Sequence, residues 1–148
     1  GMAGGLGLVA DEDGVVFRGG LHVSSLPLLR VSRRTALRPG TRLSGNAAAA
    51  LRLSRELSDE AFRDLRVQEI DSSRPDSLEM TLGDYSVAFV AWEGMADDSR
   101  KSRDSLRRQL TRLKQAIDSR VGSGAKRWDA TDWAGGCVYA HNPAWSMR

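Results

Sequence analysis

The residues of this chain that could do chemistry are few and scattered. His22 and His141 lie far apart, and neither stands near a cysteine or an acidic cluster at ligand spacing. A closed zinc site needs about four such ligands, so no metal-binding set is expected. Cys137 is the single cysteine and cannot form an intrachain disulfide. It reads as a small buried apolar residue, the usual setting of a free thiol. Nucleophilic catalysis needs a nucleophile held against a base. No G-x-S-x-G elbow occurs, and Cys137 has only the distant His22 and the tail His141 as candidate bases. Glu12, Asp71, Asp84, Asp129 and Asp132 could in principle converge as paired carboxylates, but each reads better as a turn, cap or strand-end residue. The expectation is a protein without catalytic residues and without a cofactor.

Two glycine-bearing segments point the same way. Asp11-Glu12-Asp13-Gly14 begins like a calcium loop, yet it lacks the later acidic positions, the bidentate Glu and a preceding helix. Gly122-Ser123-Gly124-Ala125-Lys126 has the composition of a phosphate loop. A phosphate loop opens a helix, whose positive end faces the anion, whereas these glycines follow one and sit at its negative end.

The elements that would position any site can be read from periodicity. Leu6–Ala10, the acidic turn and Val15-Val16-Phe17 read as a hairpin. Leu26-Pro27-Leu28-Leu29 is an extended apolar peg, since Pro27 disfavours helix at Leu26. Arg30, Arg33, Arg34, Arg38 and Arg42, with Pro39-Gly40, make an exposed loop. Asn46 is placed to cap a helix whose apolar face is Ala50, Leu53 and Leu57, ending near Ser58. Leu65 to Asp71 reads as a strand. Leu78, Met80 and Leu82 alternate, Gly83-Asp84 suits a two-residue turn, and Tyr85, Val87, Phe89 and Ala91 alternate on return. Asp97, Asp98 or Ser99 caps a long helix with a stripe at Leu106, Leu110, Leu113, Ile117 and Val121, stopped by Gly122 and Gly124. A last strand runs from Trp128 to Ala140, interrupted at Gly135-Gly136 by a bulge or turn. The expected fold is α+β: a mostly antiparallel sheet, two helices packed on one face, and the terminal strand at an edge.

At 148 residues the chain suits one domain, with Gly1–Gly5 read as a cloning remnant or linker and residues 141–148 as a tail. The 41% apolar and 28% charged content is ordinary for a globular protein. A net charge of +3 is mild, and its arginines are spread along the chain, so nucleic acid is not the expected partner. Eight basic residues fall between Arg100 and Arg120, with Asp104 and Asp118 among them. They read first as the solvated face of the long helix; a surface for nucleic acid or anionic membrane is the sharper alternative. An enzyme whose carboxylates meet only in the fold is a third reading.

Four of the nine aromatics, Trp128, Trp133, Tyr139 and Trp145, fall in the last segment. Trp128 reads as core. Aromatics on a terminal edge strand also suit protein recognition, because such an edge offers unpaired backbone groups and the rings act as anchors.

The ordered set of segments resembles the extracytoplasmic β domain of the FtsQ/DivIB cell-division proteins over about residues 6–140. Leu8–Phe17 is similar to the family's opening hairpin, and Leu26-Pro27-Leu28-Leu29 to its "LP-L" peg. Leu78–Phe89 is similar to its paired middle strands, and the helix over 99–121, with its Arg112-Leu113-Lys114-Gln115-Ala116-Ile117, to the helix before its last strand. Where the family often has Asp-Leu-Arg-Tyr, this chain has Asp129-Ala130-Thr131-Asp132, a departure at signature positions. The resemblance implies a non-catalytic scaffold of the divisome, a single FtsQ-like domain lying on the periplasmic face of the inner membrane. The family's POTRA domain and membrane helix would then lie outside this chain. It implies FtsB/FtsL-like partners that add a strand beside the last strand. Carried over from Asp129, the contact residues are Thr131, Asp132, Trp133, Gly135, Gly136, Cys137, Val138, Tyr139 and Ala140. Trp133 and Tyr139 stand one position from the family's aromatic contacts.

Overall fold

The structure, a computed structural model, describes residues 8–10, 16–18, 27–31, 39–40, 42–119, 124–131 and 139–141. β1 (Leu8–Ala10) and β2 (Val16–Arg18) form an antiparallel pair with Val9 opposite Phe17, the hairpin expected from the apolar runs. β3 (Leu28–Arg30) follows Pro27. After α1 (Gly45–Leu57) comes a short 3-10 helix, Glu60–Leu65, and then β4 (Glu69–Asp71), β5 (Leu78–Thr81) and β6 (Val87–Val90). α2 (Arg100–Ser119) leads into β7 (Arg127–Ala130), and β8 (Tyr139–His141) closes the described chain.

The fold is α+β. Strands β3 to β8 lie side by side in chain order in one six-stranded sheet. It is a mixed sheet, which corrects the expectation of a mostly antiparallel one: β3 and β4 are parallel, as are β6 and β7. The cause is the position of the helices. A helix inserted between two neighbouring strands carries the chain back to the end from which it started, so the second strand runs parallel to the first. α1 is the crossover from β3 to β4, and α2 the crossover from β6 to β7. The other three ladders are antiparallel, and the described connections from β4 to β5 and from β5 to β6 contain no helix.

Both helices cover the same sheet face. Ile70, Met80, Ala88 and Trp128 are opposite one another across four strands, and all four belong to the core with Leu53 and Leu57 of α1 and Leu106, Leu110 and Leu113 of α2. Each fully buried Leu contributes about 1.5–3 kcal/mol by leaving water. The predicted stripe of α2 is buried through Leu113 and half-buried at Ile117, while Val121 lies outside the described residues. A smaller cluster, Leu43 and Ala47 with Val31 and Leu51, closes the outer side of α1.

Several local expectations are corrected. Ser44, not Asn46, precedes the first turn of α1; the Asn46 amide instead donates to the Arg74 carbonyl. The strand read from Leu65 starts only at Glu69, because Leu65 ends the 3-10 helix and Arg66 takes a left-handed conformation. The β5–β6 loop is longer than a two-residue turn. The N–H of Leu82 donates to the Ser86 carbonyl and that of Tyr85 to the Leu82 carbonyl, so Gly83, Asp84 and Tyr85 form the tip and Tyr85 carries φ +65°. On β6 the helix-facing residues are Ala88 and Val90 rather than Val87 and Phe89. The segment from Trp128 to Ala140 is not one strand but two, β7 and β8, paired antiparallel.

Candidate docking edge

β8 is the last strand of the sheet, and among the described residues no strand lies beyond it. Its seat, β7, is firmly held. Trp128 and Ala130 are buried in the core, and the buried Gln109 side chain of α2 donates to the Ala130 carbonyl at 2.5 Å. The N–H of Val87 donates to the Lys126 carbonyl. Backbone groups alternate sides along a strand, so Lys126, Trp128 and Ala130 turn theirs toward β6, and Arg127 and Asp129 turn theirs toward β8. Arg127 is opposite His141 and Asp129 opposite Tyr139. Tyr139 and His141 are therefore the residues that bond β7, and Ala140, opposite Trp128, directs its N–H and C=O away from it. An edge strand with such outward groups is a template for another strand.

Of the nine residues anticipated as contacts, three are described. Thr131 is buried just past the end of β7, and its N–H and hydroxyl both donate to Asp129 Oδ1, at 3.1 and 2.6 Å. Tyr139 and Ala140 lie on β8. Asp132, Trp133, Gly135, Gly136, Cys137 and Val138 lie outside the described residues, as do His22, Glu12 and Trp145.

Of the carboxylates read as possible acid–base partners, the described ones, Asp71, Asp84 and Asp129, are each employed in a turn, and Asp97 before α2 is used in the same way. Asp71 Oδ1 accepts the Ser73 N–H at 2.8 Å. Asp84 Oδ1 accepts the N–H and hydroxyl of Ser86, and Asp97 Oδ1 accepts the N–H of Ser99. Asp129 does the same for Thr131. Each is an Asp bonding its own backbone two residues on, and the pattern Asp-x-Ser/Thr is visible in the sequence at all four places. Among the described residues no three His, Cys, Asp or Glu side chains are grouped as metal ligands.

The basic face of α2 is partly neutralised by its neighbours, which its sequence alone does not reveal. Arg107 Nη1 lies 2.5 Å from Glu56 Oε1 and 3.1 Å from Asp59 Oδ2. These carboxylates raise the Arg107 pKa, while the Ala61 N–H and Arg107 together lower that of Asp59. Lys114 Nζ donates to the Ala61 carbonyl at 2.8 Å and lies 3.8 Å from Asp64; Lys101 pairs with Glu93 at 3.0 Å. On the other sheet face the guanidinium groups of Arg127 and Arg74 stack on the Phe89 ring, 4.5 and 4.8 Å from its centroid. This arrangement keeps an outward phenylalanine out of water.

Among the described residues no helix is long and apolar enough to cross a membrane. Compared with protein-family models, curated proteins and solved structures, the chain matches none.

Proposed function

We propose that this chain is a non-catalytic docking domain of a bacterial cell-division assembly, of the FtsQ/DivIB kind, which receives a partner segment as an added strand beside β8. The observation that carries the reading is the position of β8 at the end of the sheet, with the backbone of Ala140 directed outward. Supporting it is the anchoring of β7 by Trp128, Ala130 and Gln109: a rigid neighbour lowers the entropic cost of ordering a partner strand. The resemblance of the segments from Leu8 to Trp128 supplies the partner class, FtsB/FtsL-like proteins. It also supplies the location, the periplasmic face of the inner membrane.

Titration calorimetry with an extended FtsB-like peptide tests the reading. Saturable binding that disappears when Ala140 is replaced by Pro is the expected result. Unchanged binding to Ala140→Pro would remove strand addition at this edge.

A further inference from the structure

Tyr85 stands at the tip of the β5–β6 loop with 79% of its surface in water, the most exposed large hydrophobic residue among those described. It holds a φ of +65°, a conformation that glycine or asparagine adopts at less cost than tyrosine. The residue therefore costs stability through its backbone and gains none by burying its ring. Arg66 lies against the same loop and is also left-handed, at φ +49°. A Cβ on Gly83 would stand 2.8 Å from Arg66 Cβ and 3.4 Å from Arg66 Nε. Beside the loop on the next strand is Lys126, whose carbonyl accepts the N–H of Val87 and whose charge acts on Asp84. Arg66 and Lys126 are exposed, and neither is held in an ion pair among the described residues. Leu28, at 42%, is the other exposed large hydrophobic residue among those described. It lies at the same end of the sheet: Leu28 is opposite Glu69, Glu69 opposite Thr81 and Thr81 opposite Val87. Three strand spacings, about 14 Å, separate it from the start of β6. The nearby acids are occupied. Asp84 accepts both donors of Ser86, Glu69 pairs with Arg30, and Asp64 lies 3.8 Å from Lys114.

From these features we infer that this end of the sheet, led by Tyr85, rests on an anionic lipid surface. An aromatic ring with a polar tip is suited to the headgroup layer, where the ring meets apolar chains and the hydroxyl stays wet. Arg66 and Lys126 flank that ring and supply the charge that anionic headgroups attract. Leu28 and Tyr85 stand on separate strands, so a plane meets both at once, whereas a protein pocket closing on the Tyr85 ring would leave Leu28 outside. Two cations and two apolar side chains make a weak contact, one that orients a domain already near a membrane. The contact is separate from the β8 edge and does not depend on strand addition there.

The test is co-sedimentation of the full chain with phosphatidylcholine vesicles, with and without phosphatidylglycerol. Binding should require phosphatidylglycerol and should fall with added salt. Tyr85→Asn should weaken it about tenfold, the effect of losing a partly buried ring, while the melting temperature holds or rises because the left-handed strain is relieved. Lys126→Gln should weaken it about fivefold, as expected for one cation near an anionic surface. Arg108→Gln, on the basic face of α2, should change nothing. Absence of binding to phosphatidylglycerol vesicles would overturn the inference. So would binding that Arg108→Gln weakens and Tyr85→Asn does not, which would place the contact on α2. A lower melting temperature in Tyr85→Asn would also overturn it, since the ring would then serve the fold.

Discussion

The side-chain amide of Gln109 donates to the backbone carbonyl of Ala130, joining the middle of α2 to the last residue of β7 inside the core. Both residues are buried, at 2% and 0% exposure. Gln109→Leu keeps the volume and removes the donor, so it should cost about 1–2 kcal/mol. At this chain length that lowers the melting temperature by roughly 2–4 °C per kcal/mol. Gln109→Glu should cost more at neutral pH, since it sets a buried carboxylate against a carbonyl oxygen, and part of that loss should return on acidification. Thermal denaturation followed by circular dichroism distinguishes the two.

Much of this fold is legible in the sequence because burial imposes period. The stripe of Leu106, Leu110 and Leu113, the alternation of Leu78 and Met80, and the face of Ala50, Leu53 and Leu57 all mark residues that reach the core. What periodicity does not carry is strand direction. That follows from where the helices interrupt the strand order, and the parallel pairs β3–β4 and β6–β7 were implicit in it. Phe89 misleads for a different reason: stacked guanidinium groups bury it on the outer face as fully as a helix would. The partial neutralisation of α2 by Glu56, Asp59 and Asp64 is a meeting of residues about fifty positions apart, for which local sequence carries no signal. At the candidate edge, composition pointed to the last segment, and the antiparallel pairing of Arg127–Asp129 with Tyr139–His141 makes that segment two strands, which fits the turn reading of its interruption and not the bulge.

The aspartates in turns predict how the domain responds to acid. Burial pushes the Asp84 carboxyl up, but hydrogen bonds from the hydroxyl and N–H of Ser86 outweigh it, and the net pKa lies below its ordinary 3.8. Asp97 is lowered by the Ser99 hydroxyl and N–H, and Asp59 by the Ala61 N–H and Arg107. A carboxyl whose folded pKa is below its unfolded value binds fewer protons when folded. Its contribution is therefore fully present above the unfolded value and is lost as the pH falls through the folded one. Stability should be insensitive to these three groups between neutral pH and about pH 5, and should decline below about pH 4. Urea denaturation across that range measures it. Asp84→Asn, which retains an acceptor oxygen for Ser86, should flatten part of the acid limb.

Gly94 is fixed by both its backbone and its surroundings. Its φ is +79°, and a Cβ there would stand 3.1 Å from Ser102 Cβ and 3.3 Å from Ser102 Cα. Ser102 lies in the first turn of α2, and its Oγ accepts the indole N–H of the buried Trp92 at 3.1 Å. Gly94→Ala therefore combines a left-handed conformation, costing about 1–2 kcal/mol, with displacement of α2 from Trp92. A lower urea midpoint is expected, together with a change in near-ultraviolet circular dichroism as Trp92 loses its partner. Ser102→Ala should lower stability by about 1–3 kcal/mol, the cost of a buried donor left without an acceptor, and should leave the Gly94 loop undisturbed.

The docking edge yields a contrast between adjacent residues. Backbone alternation from the Val87–Lys126 hydrogen bond makes Tyr139 bond β7 and Ala140 face outward. Proline removes the N–H of whichever residue it replaces, and edge strands accept it where that N–H faces away from the sheet. Ala140→Pro should thus leave the β7–β8 ladder and the melting temperature nearly unchanged, while abolishing capture of a partner strand that needs the outward N–H. Tyr139→Pro should break the ladder to Asp129, loosen β8 and lower both stability and binding. If both variants bind a partner peptide like the parent chain, no strand is added here. If Ala140→Pro loses stability and Tyr139→Pro does not, the alternation assigned to β8 is reversed. Amide hydrogen exchange gives the matching readout in the unmodified chain: the Ala140 N–H should exchange faster than that of Tyr139 when free, and should gain protection when the partner peptide is bound.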